Sequence, residues 1–289
     1  MNAFRKYGAA SFLIALVACS AAIWYTVFLL DSHHDLRLTV FDIGQGDSIF
    51  IEAPNGNQIL IDGGPSSVVL GKLGGAMPLW DRSIDLIVLT HPHADHVAGV
   101  IEVLKRYDVG MVLESGTNYS TAEYREWRTL LEQKHVPVVI ARAGQKVHLA
   151  KNTELDVFTP FDSFVGKSPS NVHDAMVVSK LVYASSSVML MGDAEKYFEY
   201  RLLLSGADLK ADILKIGHHG SKTSTAEDFV AAVLPSYAVI SVGRKNRYGH
   251  PTQQTLDTLA KFNIKTFRTD QDGDIKFVSD GKRFERVLR

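Results

Sequence analysis

The chain has 289 residues, with 31 lysines and arginines against 32 aspartates and glutamates, a length that holds one large domain or two small ones. A formal net charge of −1 excludes a polyanion grip by bulk electrostatics, so any hold on nucleic acid must be local. The single cysteine, Cys19, excludes an intrachain disulfide and leaves the rest of the chain without a thiol nucleophile. No charge falls between Lys6 and Asp31, and positions 7–30 are rich in Ala, Leu, Ile, Val and Phe. As a helix this run would extend roughly 35 Å, enough to cross the hydrocarbon core. Arg5 and Lys6 before it predict a cytoplasmic segment 1–6, a transmembrane helix 7–30, a linker 31–35 and a domain 36–289 outside the cytoplasm. Leu16-Val17-Ala18-Cys19 also resembles a bacterial lipobox, which would tether the same domain through lipid on Cys19.

Strands are expected at 36–42, 48–53 and 58–62, the last two joined by a hairpin at Asn55-Gly56. Strand 85–90, helix 96–107, strand 110–113, helix 121–134 and strand 136–140 then alternate. A paired-strand region, 176–183 and 187–191, precedes a helix over 194–204. Strand, helix and strand repeat from 211 to 267, and short strands near 274–278 and 284–287 close the chain. The alternation predicts α/β organisation, with two mixed sheets face to face and helices outside.

Strand 85–90 runs into Thr90-His91-Pro92-His93-Ala94-Asp95-His96, which places four metal-binding side chains where a buried strand opens into a loop. Open sheets place active sites there. Imidazole nitrogen and carboxylate oxygen suit zinc and related divalent ions, and His91 and His93 could face one ion while Asp95 and His96 face a second. A surface loop that happens to hold three histidines is the plain alternative.

This His-X-His-X-Asp-His run at a strand end resembles the signature of the metallo-β-lactamase superfamily, which implies an αββα sandwich and a two-metal hydrolase. In that family a later Gly-Asp supplies the carboxylate that bridges the metals, and Gly192-Asp193 matches it; Asp193 could also cap the helix after it. The resemblance also implies that one histidine of Gly217-His218-His219-Gly220 completes the second metal site. His218, first after the strand, is favoured, with His219 behind the ligands or against substrate; the reverse stays open. His173 in Asn171-Val172-His173-Asp174-Ala175 is left as the last ligand of the first metal, because His135 and His148 fall in an expected helix end and strand. The family's usual Gly-His-Thr form is absent there.

Asp42-Ile43-Gly44-Gln45-Gly46-Asp47-Ser48, Leu60-Ile61-Asp62-Gly63-Gly64, Gly217-His218-His219-Gly220-Ser221-Lys222-Thr223-Ser224 and Tyr248-Gly249-His250-Pro251 narrow the resemblance. Over about 36–278 they resemble the hydrolase domain of the ComEC competence family, and the Gly-His-His-Gly stretch is similar to that of phosphorylcholine esterases and other phosphodiesterases. Many ComEC-type domains have aspartate where this chain keeps His93, so the chain looks like a complete two-metal centre. The resemblance implies two divalent ions, Zn2+ or Mn2+, and DNA as substrate, single-stranded DNA being favoured. Asp62 and Asp47 could each orient a ligand histidine or simply form a turn.

Asp95, Asp193 and His250 are candidates for the reaction itself. Arg244, Lys245, Arg247 and Tyr248 share a loop with His250, where cations could hold phosphate and the ring could stack on a base; a solvated basic loop is the alternative. With no Walker-type glycine loop, no nucleotide cofactor is expected. The run lacks the many helices of a DNA channel, so a role in uptake would need a separate pore. Competing functions are a small-molecule hydrolase acting on a phosphocholine ester, lactone or, least favoured, β-lactam, and a metal-free binding subunit. Metal content separates the last from the others.

Overall fold

Residues 2–31 and 35–287 are described in the computed structural model, which divides into two units, 1–35 and 36–289. The first is a helix, α1 (Asn2–Asp31), whose described side chains are exposed. Among the described residues no helix is long and apolar enough to cross a membrane. The transmembrane span expected over 7–30 is therefore not shown, although the helix is. Side chains at 1–6, 9 and 27–34, which take in most of the expected linker, lie outside the described residues.

In the second unit, β1 (Leu36–Val40), β2 (Ile49–Glu52) and β3 (Gln58–Ile61) form an antiparallel meander. There follow α2 (Val68–Ala76), β4 (Ser83–Val88), α3 (Ala94–Arg106), β5 (Asp108–Glu114), α4 (Ala122–Gln133) and β6 (Val138–Ile140). The strands from β3 to β6 are parallel. The next four, β7 (Lys146–Ala150), β8 (Thr153–Val157), β9 (Ser179–Tyr183) and β10 (Ser186–Leu190), are antiparallel. Then come α5 (Lys196–Leu204), β11 (Ile213–Lys215), α6 (Glu227–Val233), β12 (Tyr237–Ile240), α7 (Gln253–Lys261) and β13 (Lys265–Arg268), the strands parallel to β10. A short α8 (Thr269–Asp272), β14 (Ile275–Ser279) and β15 (Phe284–Val287) return to the first sheet, where Leu36 faces Ser279.

The sheets run β15-β14-β1-β2-β3-β4-β5-β6 and β13-β12-β11-β10-β9-β8-β7. Side chains alternate across a strand, and here both faces are apolar because both are covered. Ile49, Ile51, Leu86 and Val88 pack between the sheets against Leu181, Leu190 and Val239. Phe50, Leu60, Ile87 and Val112 point the other way, onto Leu73 of α2, Val97 and Val100 of α3, and Trp127 of α4. On the second sheet Met189, Leu214 and Ala238 meet Phe198 of α5, Phe229 of α6 and Leu259 of α7. The result is the αββα sandwich.

Helix α2 escapes the sequence reading. Gly71, Gly74 and Gly75 lower its intrinsic helicity, and only Val69 and Leu73, one turn apart, are buried.

Candidate metal centre

The parallel strands β3, β4, β10, β11 and β12 all deliver their C-terminal ends to one edge of the sandwich. Past β4 the chain passes through Leu89 and Thr90 into His91 and then α3, with His93 at the N-cap and Asp95 in the first turn. The close approach of α3 needs glycine: a Cβ on Gly99 would stand 1.8 Å from the Gly63 carbonyl oxygen. Gly63 N donates to His96 O at 2.9 Å and Gly99 N to Gly64 O at 2.8 Å. This contact seats Asp62 under His96.

Two groups of ligand atoms result, each drawn together within 4.8 Å. In the first, His91 Nε2 lies 3.0 Å from His93 Nδ1, which lies 3.3 Å from His173 Nε2. His173 is carried by a short 3-10 turn whose first N–H bonds are completed by the Asn171 side chain, 3.1 Å from His173 N. The second group is Asp95, His96, Asp193 and His219. Asp193 stands between the groups: its Oδ2 is 3.9 Å from His91 Nε2 and 3.4 Å from His96 Nε2, and its Oδ1 is 3.4 Å from His219 Nε2.

The far side of each buried ring sets its tautomer. Thr90 has one hydroxyl proton, which it donates to Asp62 Oδ2 at 2.6 Å, so its oxygen can only accept from His91 Nδ1 at 3.1 Å. His96 Nδ1 meets Asp62 Oδ2 at 2.7 Å, and His219 Nδ1 donates to the Ser241 carbonyl at 2.9 Å. All three rings thus turn Nε2 to the cleft. The buried atoms His96 Nε2, His219 Nε2 and Asp193 Oδ1 have no hydrogen-bond partner. Leaving one such atom unsatisfied costs about 1–3 kcal/mol, and a cation would satisfy all three, so the donor set fits a divalent ion.

The electrostatics agree. Burial works against a charged His96, yet the carboxylates of Asp193 and Asp62 outweigh it and hold its pKa well above the ordinary value. His219 is raised in the same way, against burial, chiefly by Asp193. Burial would raise Asp95, but His219 and His96 hold its carboxyl at about 2. Asp193 lies well below the usual range because His219 and His96 overcome its burial. The second group therefore demands positive charge, which protons or a metal ion can supply. In the imidazole-only first group, burial and neighbouring rings push His91 well down.

The favoured place of His218 is corrected by the geometry: His219, not His218, joins Asp95, His96 and Asp193. Both residues have left-handed backbone, with φ of 48° and 54°, and this tight curl swings the first ring outward and tucks the second beneath the strands. His218 Nδ1 instead lies 3.1 Å from Glu195 Oε1, which also accepts from Thr223 Oγ1 at 2.7 Å. With His173 and Glu195, His218 makes another set of atoms close enough to hold an ion. Asp62 has a left-handed φ of 55°, and its Oδ2 lies 2.7 Å from His96 Nδ1. Asp47 lies behind His219, its Oδ1 3.7 Å from Nδ1.

His250 belongs to neither group; its ring centroid is 5.8 Å from that of His218 and 5.8 Å from that of Tyr248. Burial, then His218, lowers its pKa. Arg244, Lys245, Arg247 and Tyr248 are exposed, on a loop shaped by Asn246, whose side chain bonds His250 N at 3.0 Å and His250 O at 2.8 Å. Arg244 Nε donates to Asp270 O at 2.9 Å. The sequence reading gives no role to Glu195, Thr223, Tyr119 or Lys215. Lys215 had a signal, a charge closing the apolar run Ile213-Leu214; Tyr119, 5.7 Å from the His93 ring, had none.

Residues 41–244 match the family model of the metallo-beta-lactamase superfamily. The chain is 30% identical over 267 residues to ComE operon protein 3 of Bacillus subtilis (strain 168), covering 83% of this chain and 33% of that protein. It is 28% identical over 250 residues to competence protein ComA of Neisseria gonorrhoeae, covering 84% and 32%. It thus spans about a third of the length of these relatives. Among solved structures, CmlA, a diiron beta-hydroxylase from Streptomyces venezuelae, shares the fold with a TM-score of 0.54 at 15% identity, over 86% of this chain and 54% of that one. Zn(2+)-bound PqqB from Methylobacterium extorquens does so with a TM-score of 0.51 at 11% identity, over 84% and 99%. The family match over most of the sandwich, on a strand edge that gathers His and Asp groups able to hold metal, means that the chain belongs to the metallo-beta-lactamase superfamily of metal-dependent hydrolases and is related to competence proteins.

Proposed function

We propose that this chain is a two-metal phosphodiesterase acting on DNA, single-stranded by preference, and tethered to the membrane through α1. The observation that carries the reading is Asp193, whose Oδ2 lies between His91 of one ligand group and His96 of the other while its Oδ1 faces His219. His91, His93 and His173 would hold one Zn2+ or Mn2+, Asp95, His96 and His219 the other, with Asp193 between them. Such ions lower the pKa of water and neutralise charge that develops on an attacked phosphorus.

The chain's own groups do the rest. Asp62 and the Ser241 carbonyl keep His96 and His219 in the tautomer that binds, and Thr90 does the same for His91. Arg244, Lys245 and Arg247 hold phosphate oxygens, and Tyr248 offers an exposed face to a base. His250 stands at the rim beside His218, placed to meet the leaving oxygen. The DNA assignment is supported by the competence relatives. Arg5 and Lys6 favour a catalytic domain outside the cytoplasm, with lipid on the exposed Cys19 as the alternative tether. Uptake would call on a separate channel.

The test is metal-loaded protein assayed in parallel against single-stranded DNA, a phosphocholine ester and a β-lactam. DNA cleavage that is lost with chelator and restored by Zn2+ or Mn2+ is expected. Robust turnover of the small ester beside intact DNA would replace the nuclease reading with the small-molecule one.

A further inference from the structure

Lys215 ends β11 and is only 1 % exposed, an ammonium placed where the sheet offers no water. Its Nζ pairs with the carboxylate of Asp47, itself 1 % exposed, and donates to the Gly192 carbonyl at 3.1 Å. Those two contacts join three segments. Asp47 closes the 42–47 loop, and that loop lies so tightly under α3 that a Cβ on Gly46 would stand 2.0 Å from the Asp95 carbonyl oxygen. Gly192 immediately precedes Asp193, and its carbonyl also accepts from His218 N at 3.2 Å. Lys215 itself leads through Ile216, Gly217 and His218 to His219, whose Nδ1 lies 3.7 Å from Asp47 Oδ1. One buried ammonium therefore ties the segments that present Asp95, Asp193 and His219. Its two bonds go to Asp47 and Gly192, and the short turn that carries His173 takes neither.

We propose that Lys215 is a positioning residue for the second ligand group, setting its affinity for a divalent ion through Asp47 and the Gly192 carbonyl, with a smaller effect on the first group, which it reaches only through Asp193 and the 91–96 stretch. The inference rests on the two-metal reading of the site. A buried ion pair is weak grounds for a stability role, since an apolar pair of the same volume is often as stable. Its place beside Asp47, behind His219, points to the ligands. Groups that orient metal-binding side chains from behind typically change metal affinity about 10- to 100-fold when removed.

The experiment is a zinc titration, by calorimetry and by competition with a chelator, on the full chain in detergent. Lys215→Met alone strands the Asp47 carboxylate in the interior and can prevent folding, so the informative variant is Asp47→Asn with Lys215→Met, which removes both charges and keeps the volume. The double variant should melt, metal-free, near the wild-type temperature and hold one zinc ion within a few-fold of the wild-type affinity. Its second should bind about 10- to 100-fold more weakly, with a shifted His219 ring resonance. A purely structural pair would change both binding steps together through folding, or neither. Two zinc ions bound at wild-type affinity by the folded double variant overturn the proposal. Wild-type protein that binds two ions yet hydrolyses nothing would sink the hydrolase reading, and the weakened second step would still support the role of Lys215. Wild-type protein that binds fewer than two overturns both.

Discussion

The contact between Gly63 and Gly99 ties α3 to the strand edge that carries the candidate metal centre, and Gly99→Ala probes it directly. An alanine Cβ would lie 1.8 Å from Gly63 O and 2.4 Å from Gly63 C, backbone atoms that cannot rotate away. To restore an ordinary 3.4 Å contact, α3 and the 62–64 turn must part by about 1.6 Å. That breaks the bonds from Gly63 N to His96 O and from Gly99 N to Gly64 O, at about 1 kcal/mol each. Overpacking strain adds about 1–3 kcal/mol, while the better helix propensity of alanine returns about 1 kcal/mol. The net expectation is a loss of about 2–4 kcal/mol in urea denaturation of the metal-free protein. Because α3 carries Asp95 and His96, the same shift should weaken the second ligand group more than the first, which a zinc titration reads. Unchanged stability, within about 0.5 kcal/mol of wild type, together with unchanged zinc binding, would refute the coupling.

His219→Ala should leave one bound zinc ion by elemental analysis while His218→Ala retains two; the opposite result would restore the assignment favoured by sequence. Asp193→Ala should lose more metal than any single histidine change, since its oxygens face both groups, and equal loss from His173→Ala would count against a bridging position. Removing the charges of Arg244, Lys245 and Arg247 should weaken DNA binding and flatten its salt dependence without lowering metal content; an unchanged salt slope would place the phosphate grip elsewhere. Burial pushes Glu199 up to about 7 from 4.5, against the Ala226 and Thr225 N–H groups that it accepts from. Its carboxyl is therefore favourable to the fold below pH 4.5, and that contribution is lost as the pH rises through 7, by about 3 kcal/mol in all. Glu199→Gln should remove this slope in urea midpoints measured from pH 4.5 to 8, and an identical slope in both proteins would discard the assignment.

Elements whose own residues encode their period were legible in the sequence. The strands from β1 to β6 and from β9 to β11, and helices α3 and α4, show continuous apolar runs or a buried stripe, and each lies within a few residues of where composition puts it. Helix α2 was not legible, because its three glycines argue against a helix and only tertiary docking of Val69 and Leu73 overrides them. The hairpin of β7 and β8 turns at Asn152, with φ of 57°, between strands whose outer faces are half exposed. It therefore lacked the apolar density that marked its neighbours.

At the metal centre, legibility followed the same division between local pattern and long-range geometry. His91, His93, Asp95 and His96 fall within one run from 91 to 96, so their spacing alone implied that they lie close together. The choice between His218 and His219 depended on backbone direction, and two successive non-glycine residues in left-handed conformation are rare enough that sequence gives no reason to expect them. Lys215 reveals why such strain persists there. Its bond to Gly192 O, an oxygen that also takes the N–H of His218, pins the start of the curl to the turn before Asp193. The Ser241 carbonyl then holds His219 Nδ1 from the end of β12. With both ends of the curl fixed to neighbouring strand ends, relaxation of His218 or His219 to right-handed backbone would break one of these bonds. Because one of those bonds sets the tautomer of His219, the conformation that sequence could not foresee is the one that turns Nε2 toward Asp193.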